Sequence, residues 1–111
     1  MKIVAKSKIW LETENGILIG EGRYRLLKEL DHAKSISKAA KNLGMSYNKA
    51  WKLLKDMNSN APKAISKNSP GGKNGGGTEI TEYALGLISA FEELNKSCWK
   101  LLDEKIQTLK F

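Results

Sequence analysis

Apolar and polar positions change their period along the chain, and each change marks an element. Lys2–Thr13 mixes β-branched residues with alternating lysines and runs into Glu14-Asn15-Gly16, a strong turn signal. Ile17-Leu18-Ile19 follows, so the start predicts a β-hairpin or a strand with a short return. After Gly20 and Gly22 the period becomes helical. Tyr24, Leu26, Leu27, Leu30 and Ala33 recur at three- and four-residue steps, which predicts a helix over about 22–33. Ser35 caps a short helix that Gly44 stops, and Ser46 caps a third helix running through about residue 58. Two short helices joined at a glycine form a helix-turn-helix.

Asn60-Ala61-Pro62 ends the third helix, because proline biases the residue before it away from helical angles. Lys63–Lys67 and Thr78–Ile80 are short strand candidates on either side of Ser69–Gly77, a nine-residue segment with five glycines. Such a hairpin with a basic, glycine-rich tip is a wing. From Thr81, a candidate cap, to Phe111 the chain has no proline, and one apolar stripe runs along it. As a helix, that stripe of about 25 residues extends close to 40 Å at roughly 1.5 Å per residue, more than so small a domain covers. Leu87, Ile88, Phe91, Leu94, Cys98, Leu101, Leu102, Ile106 and Leu109 are therefore the candidate interface to a second copy.

The fold class expected is mainly α with small β-hairpins: a winged helix-turn-helix over residues 1–80, with a C-terminal dimerisation helix over 81–111. At 111 residues, 41% hydrophobic and 28% charged, the chain has the size and composition of one globular domain. No stretch approaches the roughly 18 apolar residues of a membrane span, and the first residues lack the apolar core of a signal peptide. A cytoplasmic protein is expected. Cys98 alone excludes an internal disulfide, and with His32 as its only companion a Cys/His zinc site cannot be assembled.

The net charge of +7 is unevenly divided. Residues 1–34 carry seven basic and five acidic side chains, and residues 79–111 carry four and six. Residues 35–78 carry eight basic groups against Asp56 alone. A block of that kind is an electrostatic footprint for a polyanion, although a solvated lysine-rich surface would share its composition. On the third helix Ala50, Leu53, Leu54 and Met57 share one arc, with Tyr47 and Trp51 at its edge; Asn48, Lys49, Lys52 and Lys55 point the other way. Amphipathic helices with lysines outward are common on any surface. Here the neighbours weigh in, since a short helix with a glycine turn precedes this one and a basic wing follows. Asn pairs bidentately with adenine and Lys donates to guanine, so this face suits a DNA major groove.

Ser35, Ser37 and Ser46 serve as caps and also stand where phosphates pass a helix-turn-helix. Lys38, Lys55, Lys73 and Asn74 are candidate backbone contacts, while Tyr47, Asn48, Lys49 and Lys52 are candidate base contacts. Gly71–Gly77 superficially suggests a nucleotide loop but lacks Gly-Lys-Ser/Thr and connects two strand candidates. Trp10, Trp51 and Trp99 read as core or interface residues. No nucleophile, base and acid constellation is visible, so no enzyme is expected.

The run Ser35–Trp51, Met57-Asn58, Gly71–Gly77, and Ile80-Thr81 with Tyr83 resembles the N-terminal DNA-binding domain of the molybdate-responsive ModE-type transcription regulators. The resemblance spans about residues 20–95. Its specificity lies in pairing a Ser-Tyr-x-x-Ala-Trp helix start with a Gly-Gly-Lys-x-Gly-Gly-Gly wing. It implies a winged helix-turn-helix related to the LysR type, dimeric through its terminal helix, that binds a palindromic operator. Full-length members also carry oxyanion-binding β-barrel domains, which these 111 residues do not contain. No cofactor is therefore expected, molybdate or tungstate sensing is not expected of this chain alone, and any effector or sensor would be separate.

The expectation is a homodimeric, sequence-specific regulator binding double-stranded DNA, with a recognition helix over about 46–59 and a wing over 69–77. The competing readings are a nonspecific architectural DNA-binding protein and a protein-interaction adaptor that uses the C-terminal helix.

Overall fold

The computed structural model describes residues 1–72 and 75–111. Its elements run β1 (Leu11–Thr13), β2 (Gly16–Ile19), α1 (Glu21–Ala33), α2 (Ile36–Leu43), α3 (Tyr47–Asn60), β3 (Ser66–Gly72), β4 (Gly75–Ile80) and α4 (Glu82–Ile106). The strands form two separate antiparallel hairpins, β1 with β2 and β3 with β4. This is the mainly α winged helix with a C-terminal helix that the sequence pattern predicts.

The core is the sum of the periodic positions. Leu26, Leu27 and Leu30 of α1 meet Ala39 and Ala40 of α2, Ala50, Leu54 and Met57 of α3, and Ala84, Leu87, Ile88 and Phe91 of α4. Leu18, Ile19 and Ile65 complete it. Alanines at the α2 and α3 contacts let short helices approach closely. Each large buried aliphatic contributes about 1.5–3 kcal/mol by leaving water.

Local chemistry sets the ends. The Ser35 hydroxyl accepts from Lys38 N at 3.2 Å, Ser46 from Lys49 N at 3.1 Å and Thr81 from Ala84 N at 3.1 Å, so these predicted caps form, whereas Ser37 lies inside α2, whose cap is Ser35. Gly44 closes α2 in the left-handed region at φ 68°, where glycine carries no side-chain penalty.

Several boundaries differ from the sequence expectation. The first strand covers only Leu11–Thr13, because its partner ends at Ile19, just before α1 begins. Residues 1–10 carry no strand pairing. The wing strands extend into the glycine segment, with Ser69 opposite Gly77 and Gly72 opposite Gly75. Lys63–Ile65 stay outside the strand, and Asn58 Oδ1 accepts from the N–H groups of Ile65 (2.8 Å) and Ser66 (3.2 Å). The last helix stops at Ile106 rather than Phe111: Thr108 turns back and donates both its N–H and its hydroxyl to the Lys105 carbonyl. Leu109 lies beyond the helix.

The molecule extends 61 × 30 × 20 Å, and among the described residues no helix is long and apolar enough to cross a membrane.

Candidate nucleic-acid interface

The helix-turn-helix presents α3 by its polar face. Ala50, Leu54 and Met57 face the core, leaving Tyr47, Asn48, Lys49, Lys52 and Lys55 exposed. An open cleft of about 760 Å³ runs along this face, lined by Ser46, Asn48, Lys49, Trp51, Lys52, Lys55 and Ser59 of α3 and its cap, with Arg23 of α1. Five predicted contacts, Ser46, Asn48, Lys49, Lys52 and Lys55, thus share one surface. A second cleft of about 380 Å³ lies between α3 and the wing, where Trp51, Lys55 and Ser59 meet Ser66 and Asn68.

Ser37 and Lys38 are exposed on α2, whereas Ser35 is half-buried with its hydroxyl engaged in the cap. Lys38 lines a separate notch with His32, Lys41 and Asn42. Lys73 and Asn74, the predicted tip contacts, lie outside the described residues.

The Asn58 side chain ties the wing to α3. Asn58 takes Ile65 N and Ser66 N on its carbonyl oxygen and donates from Nδ2 to Ser66 Oγ at 3.0 Å and to Leu54 O at 3.1 Å. The other end of the wing is fastened at Thr81, whose hydroxyl donates to Ala64 O at 2.6 Å. Helix and hairpin are thereby held in one register.

Of the core or interface places expected for the tryptophans, the structure excludes the core. None is a core residue: Trp10, Trp51 and Trp99 are all about half exposed. Trp51 lies on the open side of α3 with Lys55 Nζ 5.0 Å from its ring centroid, a cation–π pair between the two clefts. Sequence reasoning placed Trp51 with the apolar arc; its position at the edge of that arc was the available signal. Arg23 was also missed, since nothing in α1 alone connects it to α3.

The predicted dimer stripe divides in two. Leu87, Ile88 and Phe91 are buried in the core of the chain itself, with Phe91 5.4 Å from the Tyr24 ring, so they present no surface to a second copy. The stripe near Thr81 is used up because α1 already covers it. Farther along, Leu94 and Leu101 are exposed, and Cys98, Leu102 and Ile106 are half-buried.

Where α1 leaves α4, the Tyr24 hydroxyl donates to Glu92. That hydrogen bond holds the Glu92 carboxylate below its usual range, with nearby Lys28 acting in the same sense against desolvation. The same bond, with burial, pushes Tyr24 up to about 12.

The arrangement offers hydrogen-bond donors and positive charge along one helix, and among the described residues no three His, Cys, Asp or Glu side chains gather as a metal site.

No protein-family model matches the chain. Individual relatives do. Over 87 residues, 78% of this chain, it is 39% identical to the transcriptional regulator ModE of Haemophilus influenzae, covering 34% of that protein. It is 31% identical over 99 residues, 89% of this chain, to the DNA-binding transcriptional dual regulator ModE of Escherichia coli K12, covering 38% of it. Its homologues are thus ModE transcriptional regulators, at 31–39% identity over most of this chain. The molybdenum-pterin-binding protein MopB of Rhodobacter capsulatus also matches, at 36% identity over 87 residues, 78% of this chain and 32% of MopB. The chain spans about a third of the length of the curated relatives it matches. The residues on which the sequence resemblance rests lie largely in the capped α2–α3 pair and the β3–β4 wing.

Proposed function

We propose that this ModE-type domain acts as a homodimeric, sequence-specific transcription regulator in the cytoplasm, and not as an enzyme. One observation carries the reading: a capped second helix of a helix-turn-helix exposes Asn48, Lys49, Lys52 and Lys55 along a single cleft while its opposite face is buried. A major groove admits a helix of this kind, and its first turn reaches base edges. Tyr47, Asn48, Lys49 and Lys52 read bases in this account. Ser35, Ser37, Ser46, Lys38 and Lys55 hold phosphates, and Lys73 and Asn74 belong with them by their place in the wing sequence.

The dimer uses the outer half of α4, through Leu94, Cys98, Leu101, Leu102 and Ile106, with Leu109 just beyond the helix. Support comes from their exposure past the point where α1 covers the helix. Two-fold symmetry then sets two recognition helices on an inverted repeat.

The test is recovery of fragmented genomic DNA by the purified protein at near-physiological salt, followed by sequencing, with and without molybdate. A few loci sharing an inverted repeat are expected, with half-sites one helical turn or a multiple apart. Unselective recovery that fades with salt would make the protein architectural, and no recovery would overturn DNA binding. A molybdate effect would bring the molybdenum function in its relatives' names to this chain.

A further inference from the structure

The basic face of α3 contains one acid, and the fold places a specific cation on it. Asp56 lines the same cleft as Asn48, Lys49 and Lys52, and its side chain is about half exposed. Left alone, its carboxylate would repel the phosphates that the lysines attract. Arg23 reaches across from α1 and sets Nη2 2.7 Å from Asp56 Oδ2, while its Nη1 donates to the Ile17 carbonyl at 2.8 Å. Its side chain is only 13% exposed, far more covered than the usual surface arginine. Asn60, one turn after Asp56, donates to the same Ile17 carbonyl at 2.9 Å. The guanidinium is thus fixed at both ends, on the N-terminal hairpin and on the recognition helix.

We propose that Arg23 is a positioning residue for nucleic-acid binding: held between α1, the first hairpin and α3, it neutralises Asp56, so the α3 cleft meets a polyanion as uninterrupted positive charge. This rests on the DNA-binding reading above and adds to it a residue outside the helix-turn-helix. The geometry separates Arg23 from the lysines around it. Lys49 and Lys52 are exposed, whereas the Arg23 donors are directed at Asp56 and Ile17. Its effect on DNA therefore passes through the charge of Asp56.

The test uses the full chain and a fluorescein-labelled, mixed-sequence 30-base-pair duplex, with anisotropy measured from low salt to 0.2 M. Arg23→Ala is expected to bind about tenfold more weakly near 0.1 M salt, with a salt slope shallower by about one, as loss of one effective charge requires. Adding Asp56→Asn to Arg23→Ala should restore wild-type affinity within about twofold, because the uncompensated carboxylate is gone. A purely structural Arg23 would give no such rescue. Asp56→Asn alone, which keeps Arg23 on Ile17, should bind at least as tightly as wild type, and it decides the matter if Arg23→Ala does not fold. Weaker binding by Asp56→Asn, wild-type binding by Arg23→Ala, or a double variant as weak as the single one would each overturn the proposal. Wild-type protein that ignores the duplex would instead overturn the DNA-binding reading itself.

Discussion

Gly16 and Asn60 are fitted to each other across 44 residues of sequence: a Cβ on Gly16 would stand 2.8 Å from Asn60 Nδ2. Gly16 also has φ 137°, a conformation side chains rarely adopt. Asn60 is buried, and its carbonyl accepts from the Thr13 hydroxyl at 2.6 Å. The first residue of β2 is thus the surface on which α3 ends. Gly16→Ala should destabilise the domain by about 2–4 kcal/mol, combining backbone strain with a clash against a hydrogen-bonded amide. Urea unfolding measures this, and a loss under 1 kcal/mol would contradict the close approach.

Tyr24 and Glu92 make stability depend on pH at both ends of the scale. Tyrosine in an unfolded chain releases its proton near pH 10, but folded Tyr24 keeps it to about 12. The folded state binds more protons in that window, so stability falls as pH rises through it. Glu92 behaves oppositely: its folded value is depressed, so its contribution is present above the usual carboxylate range and is lost as pH falls through it. Tyr24→Phe should cost about 1 kcal/mol at pH 7 and flatten both limbs. Thermal melts from pH 3 to 11 report it; identical limbs in the variant would count against the pair.

The two halves of α4 should respond differently to substitution. Phe91 is 1% exposed, so Phe91→Ala should cost about 3–5 kcal/mol of folding stability. Leu101 is 66% exposed, so Leu101→Glu should leave the melting temperature of the protomer nearly unchanged and convert the proposed dimer to monomer. Sedimentation equilibrium beside circular dichroism reads both. Unfolding by Leu101→Glu, or a dimer untouched by it, would remove the outer half of α4 from the interface.

Asn48 stands exposed in the first turn of α3. Asn48→Ala should relax selectivity at a single base position by about 1–3 kcal/mol while the salt slope stays the same. Competition with duplexes substituted one position at a time measures this. A uniform loss over all positions would make Asn48 a backbone contact.

Much of the molecule was legible because its signals are local. Caps at Ser35, Ser46 and Thr81, the stop at Gly44 and the three- and four-residue steps of leucine each act within one turn of helix, and all took the form expected. The opposed faces of α3 followed from angle alone. Element ends decided by distant partners were not legible: the wing strand starts at Ser66, where Asn58 receives its N–H, and β1 is only as long as the return it pairs with.

The sequence by itself therefore determined which segments become helices, where they are capped, and that positive charge gathers on one of them, because propensity, capping and charge are properties of neighbours along the chain. Tertiary structure decided how one continuous apolar stripe is shared. Leu87, Ile88 and Phe91 pack under α1, whereas Leu101 remains at the surface, and the periodicity is the same on both sides of that division. It also brought Arg23 from another helix onto Asp56, a contact between residues 33 positions apart that only the packing of α1 beside α3 creates.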